Sequence, residues 1–140
     1  MRVAKLSTEV FADEAAVDTF FTADLPHRDP PGLFHVGGQI SAEGLALGET
    51  ILFTYRGRLR FVGRAASGRL DNTFNLQPEY PYCFIVEPES VEAADASLVE
   101  VEQALAAVGV EVSLAGQGWT RVPDSPAAER AVAELVRRAT

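Results

Sequence analysis

Residues that could carry acid–base, nucleophilic or metal chemistry are few and widely spaced in this sequence. His27 and His35 are the only two histidines, and Cys83 is the single cysteine. A metal site needs a closely spaced set of His, Cys, Asp or Glu, and neither histidine has such neighbours. Cys83 lies in the apolar run YPYCFIV, which favours a small buried hydrophobic residue over a nucleophile. We therefore expect no enzyme activity, no metal and no cofactor.

Positive charge is concentrated in one segment, GETILFTYRGRLRFVGRAASGR (48–69), although the formal net charge of the chain is −8. Residues 70–120, by contrast, carry nine acidic side chains and no basic one. An exposed hairpin can use any charged side chain to avoid edge-to-edge pairing, whereas arginine alone favours forked hydrogen bonds to phosphate. The segment therefore predicts contacts with a nucleic-acid backbone. The arginines assigned to this role are Arg56, Arg58, Arg60, Arg64 and Arg69.

Aromatic side chains beside loops and strand ends form the second candidate group. They are Phe34, Tyr55, Phe74, Tyr80, Tyr82 and Trp119. Each ring could pack in the core, and for the phenylalanines this is the favoured interpretation. Tyr82 and Trp119 carry a polar atom that needs a partner when buried, so core and ligand roles both stay open for them. His35 is either a satisfied core histidine or a polar contact in a pocket.

Hydrophobic periodicity predicts the elements that would position these groups. Alternation in 51–56 and 58–65 around Arg56-Gly57 indicates a β-hairpin with one apolar and one cationic face. Helices are expected at about 13–23, from Ser97 to Gly109, and from Ser125 onwards. Further strands are expected at 3–7, 33–36, 82–87 and 110–114.

The mixture of strands and helices has no regular βαβ rhythm, and 140 residues fit one domain spanning 1–140. We therefore predict an α+β fold with a small, strongly bent sheet or barrel and about three flanking helices. The amino terminus lacks a signal-peptide core, and no apolar run is long enough to cross a membrane. The expected location is cytoplasmic.

Three segments carry a resemblance to a known superfamily. LALGETILFTYRGRLRFVGRAASG resembles the strand–turn–strand segment of PUA-like domains, which include EVE, YTH and SRA modules. YPYCFIVEPESV and GQGWTRVPDS are similar to a strand and the carboxy-terminal loop of domains fused to HNH endonucleases in modification-dependent restriction systems. The resemblance covers about residues 33–126 and extends to small SRA-like proteins that recognise 5-methylcytosine. The initial helix and the missing nuclease half depart from it.

This resemblance implies a curved PUA-like β-barrel and a non-enzymatic, nucleoid-associated reader of double-stranded DNA carrying a modified base, most simply 5-methylcytosine. Such readers rotate the base out of the duplex, which costs about a few kcal/mol and requires stacking and edge contacts in a pocket. Here Phe34, Tyr55, Tyr82 and Trp119 would enclose the base and His35 would contact its edge. The arginines would hold the phosphates.

Three other functions remain open. The chain could bind modified or structured RNA, as YTH and PUA relatives do. It could be an enzyme or bind a small metabolite in the same pocket. Its acidic segment, 71–111, could dock a basic protein partner. A separate nuclease or methyltransferase is a possible partner of the reader.

Overall fold

The computed structural model describes residues 1–36, 45–74, 76–115 and 119–139. Residues 37–44, within the range 33–126 that the resemblance covers, and 116–118, at the start of GQGWTRVPDS, lie outside the described residues. The α-helices are α1 (Glu14–Thr19), α2 (Leu98–Ala106) and α3 (Pro126–Arg138). The strands are β1 (Arg2–Lys5), β2 (Leu33–Val36), β3 (Thr50–Tyr55), β4 (Arg58–Arg64), β5 (Leu70–Asp71), β6 (Tyr82–Ile85), β7 (Glu92–Ser97) and β8 (Thr120–Arg121).

The strands form two sheets that meet at one point. The larger has the order β7-β4-β3-β1-β8, with β1 parallel to β3, and the smaller has the order β2-β6-β5. An antiparallel bridge between Ala65 and Val86 joins the end of β4 to the end of β6. The α+β class with three helices is confirmed. The described strands form one mixed and one antiparallel sheet, linked by this bridge, rather than a closed barrel.

The β3–β4 hairpin is present, but its faces differ from the prediction. Arg56 (φ 49°) and Gly57 (φ 76°) form the turn, as expected for a tight two-residue connection. The register between β3 and β4 shifts between Phe53 and Thr54, which pair with Phe61 and Leu59, so an extra residue, Arg60, interrupts the alternation. Leu59 and Phe61 consequently pack in different cores, and the prediction that they share one face is wrong.

The two cores are separate clusters of buried side chains. The first lies beneath α1 and the turns that follow it, and includes Val17, Phe21, Phe53, Phe61 and Phe84. The second lies beneath α2 and α3, and includes Leu52, Leu59, Leu105, Val132 and Leu135. Neighbouring β3 residues supply both clusters because side chains alternate along a strand.

The helices begin as their capping residues predict. Asp13 accepts the Ala16 N–H at 2.8 Å at the start of α1. Ser97 and Glu100 form a complete capping box at α2, with both hydrogen bonds at 3.1 Å. Beyond α1 the chain continues as a π-helical turn, Phe20–Asp24, and a 3₁₀ turn, Leu25–His27. None of the helices in the described ranges is both long and apolar enough to cross a membrane.

One strand predicted from the sequence is absent, and the six-residue strand β7 was not predicted. The segment 110–114 has no strand pairing, because Val110 and Leu114 are buried in the second core and the Leu114 N–H donates to Glu102 Oε2 at 2.9 Å. β7 was missed because EAADAS lacks the β-branched and aromatic residues typical of strands. Its small, buried Ala94 and Ala96 instead allow α3 to pack closely across it.

Candidate functional site

A cleft of about 780 Å³ opens over the first core. It lies between the end of β1, the α1 region, β2 and the 76–80 loop, and this volume falls in the range of about 300–1,000 Å³ usual for small-ligand sites. Its aromatic lining consists of Phe11, Phe20, Phe34, Tyr80 and Trp119. Its polar and charged lining includes Lys5, Ser7, Thr19, Asp24, Arg28, His35 and Gln77.

The aromatic side chains are arranged edge to face, which fixes their ring planes. Phe20 meets Phe11 at 5.3 Å and Phe34 at 5.8 Å between ring centroids, both in T-shaped contacts. Trp119 packs edge-on against Phe84 at 5.7 Å and Phe34 at 6.4 Å. Because Phe11, Phe20 and Trp119 are only partly buried, each keeps ring surface open to the cleft. The cleft can therefore stack a planar ligand.

His35 and Arg28 provide the buried polar part of the cleft. Arg28 Nη1 lies 3.0 Å from Leu33 O and 3.2 Å from His35 Nδ1, and Arg28 Nη2 donates to Asp24 Oδ2 at 3.1 Å. The guanidinium also covers the Phe20 ring at 4.9 Å. Burial and the nearby Arg28 charge lower the pKa of His35 below its ordinary value of 6.5. His35 is therefore neutral at physiological pH.

Asn72 organises the loop that closes one side of the cleft. Its side-chain amide donates to the backbone carbonyls of Gln77 at 3.1 Å and Tyr80 at 2.9 Å, and Leu76 O lies at 3.4 Å. These contacts bring Tyr80 to His35, with 6.0 Å between ring centroids. Asn72 does not line the cleft itself but positions two residues that do.

Three of the five proposed base-pocket residues line this cleft, and two do not. Phe34, His35 and Trp119 lie together in its lining, and their contact with a base stays a prediction. Tyr55 is only 1% exposed, and its hydroxyl donates to Phe11 O at 2.7 Å, so its ring belongs to the core. The guanidinium of Arg69 covers the Tyr82 ring, with Arg69 Cζ 3.9 Å from the ring centroid, and Tyr82 does not line the cleft.

The five proposed phosphate-binding arginines do not form one stripe. Arg58 pairs with Asp95 at 2.8 Å, and Arg60 pairs with Asp18 at 3.2 Å. Arg64 lines a separate cleft beside α3. Arg56 is exposed and donates to Ala12 O at 3.0 Å. None of the five is part of the aromatic cleft, whose described cations are Lys5 and Arg28. Their contact with phosphate stays a prediction.

Sequence reasoning missed several residues of the cleft. Phe11 and Phe20 were missed because phenylalanines before and within a predicted helix are indistinguishable from core packing in sequence alone. Arg28 gave a usable signal, since it is a lone base within a proline-rich loop that also contains both histidines. Tyr80 was among the loop aromatics, and Gln77 gave no signal.

Other reactive groups in the described ranges do not suggest chemistry. No cluster of three or more potential metal ligands occurs among these residues. Burial raises the pKa of the Cys83 thiol, which disfavours the nucleophilic thiolate.

The fold of this chain has a counterpart among solved structures. No family model matches the chain, and no curated protein matches it. A solved structure does match: the YTH domain of the Zygosaccharomyces rouxii MRB1 protein, in complex with N6-methyladenosine RNA. The likeness covers 96% of this chain and 86% of that chain, with a TM-score of 0.55 and 14% sequence identity. At this level of identity the likeness shows the fold alone.

Proposed function

We propose that this protein is a non-enzymatic reader of base-modified nucleic acid that takes the modified base into the aromatic cleft. The observation that carries the proposal is the combination of open ring surface and buried polar groups in one cleft of about 780 Å³. Aromatic faces stack on any base, whereas buried polar atoms distinguish the edge of one base from another. Phe20 and Trp119 supply the first property, and His35 supplies the second.

We place modified RNA first among the polymers. A base in single-stranded RNA is unstacked at little cost, and its recognition depends on stacking and edge contacts more than on an array of cations. The pairing of Arg58 with Asp95 and of Arg60 with Asp18 supports this order. So does the solved structure of the same fold, which is in complex with N6-methyladenosine RNA.

Duplex DNA carrying 5-methylcytosine is the second candidate. Extrusion of the base costs about a few kcal/mol and needs cations that hold the phosphates on either side. The exposed Arg56 favours this candidate, because its guanidinium bonds to Ala12 O, beside Phe11 of the cleft. In either case the protein would recognise the modification and a separate nuclease or methyltransferase would act on it. We propose that the reader and this separate enzyme both act in the cytoplasm.

Trp119 allows a direct test, because it is the only tryptophan in the chain and lines the cleft. Its fluorescence should be quenched when a base stacks in the cleft. The probes are short single-stranded RNAs with one N6-methyladenosine or 5-methylcytidine and duplex DNA with 5-methylcytosine, each beside its unmodified counterpart at fixed salt.

We expect at least one modified probe to bind about tenfold more tightly than its unmodified counterpart, because one methyl group in an apolar pocket contributes about 1–3 kcal/mol. Equal affinity for every pair would remove the reader function. Tighter binding of methylated duplex DNA than of methylated RNA would reverse the order of the two polymers. Thermal stabilisation by a small metabolite, with none by any oligonucleotide, would instead identify a metabolite-binding protein.

A further inference from the structure

The contact between Arg28 and His35 determines which nitrogen of the imidazole carries its proton. Arg28 Nη1 lies 3.2 Å from His35 Nδ1, and a guanidinium has only donors. Nδ1 must therefore accept this hydrogen bond. The pKa of His35 is lowered by burial and by Arg28, so the ring is neutral and its single proton lies on Nε2.

The Nε2–H group of His35 is a buried donor whose hydrogen bond is not satisfied within the described structure. His35 is 8% exposed and lines the cleft, and Nε2 makes no hydrogen bond of acceptable geometry with the described residues, although the Leu76 backbone and the Gln77 side chain lie near enough to raise the pKa of His35. Arg28 Nε, on a side chain that is 9% exposed, is a second buried donor in the same condition. Buried donors are normally satisfied, so a ligand that brings an acceptor here binds better than one that does not.

We propose that His35 reads a hydrogen-bond acceptor on the ligand through Nε2–H, and that Arg28 is the positioning residue that fixes this tautomer. This inference rests on the proposed function and narrows it to ligands that place an unprotonated ring nitrogen or a carbonyl oxygen against His35. A base that places an N–H group there meets a second donor and is rejected, because two donors cannot bond to each other.

Arg28 is suited to this positioning role because its other contacts hold it in place. Nη1 also bonds to Leu33 O at 3.0 Å, Nη2 bonds to Asp24, and the guanidinium plane covers Phe20 at 4.9 Å. A side chain held at three points presents the same donor to Nδ1 in every molecule. Rotation of the imidazole is further restricted by Tyr80, whose ring centroid lies 6.0 Å away.

The tautomer can be measured without any ligand. Long-range ¹H–¹⁵N spectra of protein labelled at histidine distinguish a protonated Nε2 from a protonated Nδ1. We expect the pattern of a neutral ring protonated only at Nε2 for His35. The Arg28→Met variant keeps the aliphatic stem but loses the donors, so the His35 ring should show a mixture of the two tautomers. An Nδ1–H pattern in the wild-type protein overturns the inference.

Acceptor-deleted bases test the reading itself. The probes are short RNAs that contain one modified base. The 5-methylcytidine probe is compared with its 3-deaza and 2-thio analogues, and the N6-methyladenosine probe with its 1-deaza, 3-deaza and 7-deaza analogues. We expect one analogue to bind the wild-type protein about tenfold more weakly. In the His35→Phe variant this analogue should bind as tightly as its parent base, because phenylalanine keeps a planar ring but has no donor. If every penalty persists in His35→Phe, His35 does not read an acceptor.

Failure of the proposed function and failure of this inference can be distinguished by experiment. Absence of binding by all modified probes removes the proposed function, whereas the tautomer is measured on the unliganded protein. Should His35→Phe unfold, His35→Gln keeps a side-chain N–H donor without the ring. It should retain at least part of the discrimination between a base and its acceptor-deleted analogue, and complete loss of discrimination in a folded His35→Gln protein counts against the inference.

Discussion

Gly32 and Val86 are held backbone to backbone where the two sheets meet. The Val86 N–H donates to Gly32 O at 2.8 Å, and a Cβ on Gly32 would overlap the Val86 carbonyl oxygen. Gly32 also has φ +85°, a conformation that side chains disfavour. Gly32→Ala should therefore cost more than about 3 kcal/mol of unfolding free energy, measured by urea denaturation.

Gly57→Ala is the matched control for this prediction. Gly57 has φ +76°, but no atom lies within 4 Å of a Cβ built there. Only the conformational penalty of about 1–2 kcal/mol applies. If the two variants lose the same stability, close packing against Val86 is not what requires glycine at position 32.

Removal of the Trp119 ring should weaken binding without unfolding the protein. Stacking of one base on an aromatic side chain contributes about 1–3 kcal/mol, so Trp119→Ala should raise Kd for the preferred modified probe by about 5- to 150-fold. Fluorescence anisotropy of a labelled probe measures the change. Tyr55→Phe is the control, because it removes only the buried hydrogen bond to Phe11 O and should cost about 1 kcal/mol of stability with unchanged Kd.

Arg56 and Arg58 should differ in their effect on the salt dependence of binding. Arg56→Ala removes an exposed guanidinium beside the cleft, so the slope of log K against log salt should become shallower by about 1 for every probe. Arg58→Ala removes a guanidinium already paired with Asp95 and should leave the slope unchanged. A shallower slope in Arg58→Ala would restore the stripe of phosphate contacts inferred from the sequence.

Loss of the Asn72 amide should loosen the loop that carries Gln77 and Tyr80. Asn72→Asp is nearly isosteric but cannot donate to the carbonyls of these residues. We expect faster amide hydrogen exchange at 76–80 and about tenfold weaker binding, with smaller changes in exchange elsewhere. Unchanged exchange in this loop would show that other contacts hold it.

His35 should make stability depend on pH. Its folded-state pKa lies below 6.5, so the unfolded chain binds the proton first and stability falls as the pH decreases from about 6.5 towards that lower value. The loss is at most about 1.4 kcal/mol per pH unit. Around the ring, Arg28 opposes protonation, while Glu79, the Leu76 backbone and the Gln77 side chain favour it.

The measurement is the urea midpoint between pH 5 and 7, with His35→Phe as the comparison. Glu129 acts in the opposite direction, because burial raises its pKa above 4.5 and stability is lost as the pH rises through that range. A Glu129→Gln background removes this opposing effect. If the pH dependence in that background is the same with and without His35, the neutral state of the imidazole does not contribute to it.

Sequence periodicity was sufficient where local chemistry decides the structure. The Arg56-Gly57 turn and the Ser97 capping box depend on residues adjacent in the chain, and both are present. β7 depends on pairing with β4, which the composition of EAADAS does not indicate. The bulge at Arg60 likewise depends on a neighbouring strand. This is why the predicted cationic face was divided between partners on α1 and β7.

For the candidate site, too, the sequence was informative where residue type and local position suffice, and uninformative where a distant contact decides. Phe34, His35 and Trp119 were recognised from residue type and loop position. Tyr55 was misassigned because its partner, Phe11 O, is 44 residues away in the sequence. Arg28 gave a signal as the lone base of a proline-rich loop, but its contact with His35 depends on the 3.2 Å distance between Nη1 and Nδ1, which the sequence does not indicate.

The two cores lie on different sides of this small protein. The cleft opens over the first core, and α3 covers the second, with Ala133 exposed on its outer surface. A cysteine introduced at Ala133 would be far more reactive than the native thiol, which is fully buried. A dye or a solid support could be attached there while the opposite side captures modified oligonucleotides, so the chain is well suited to development as a detection reagent.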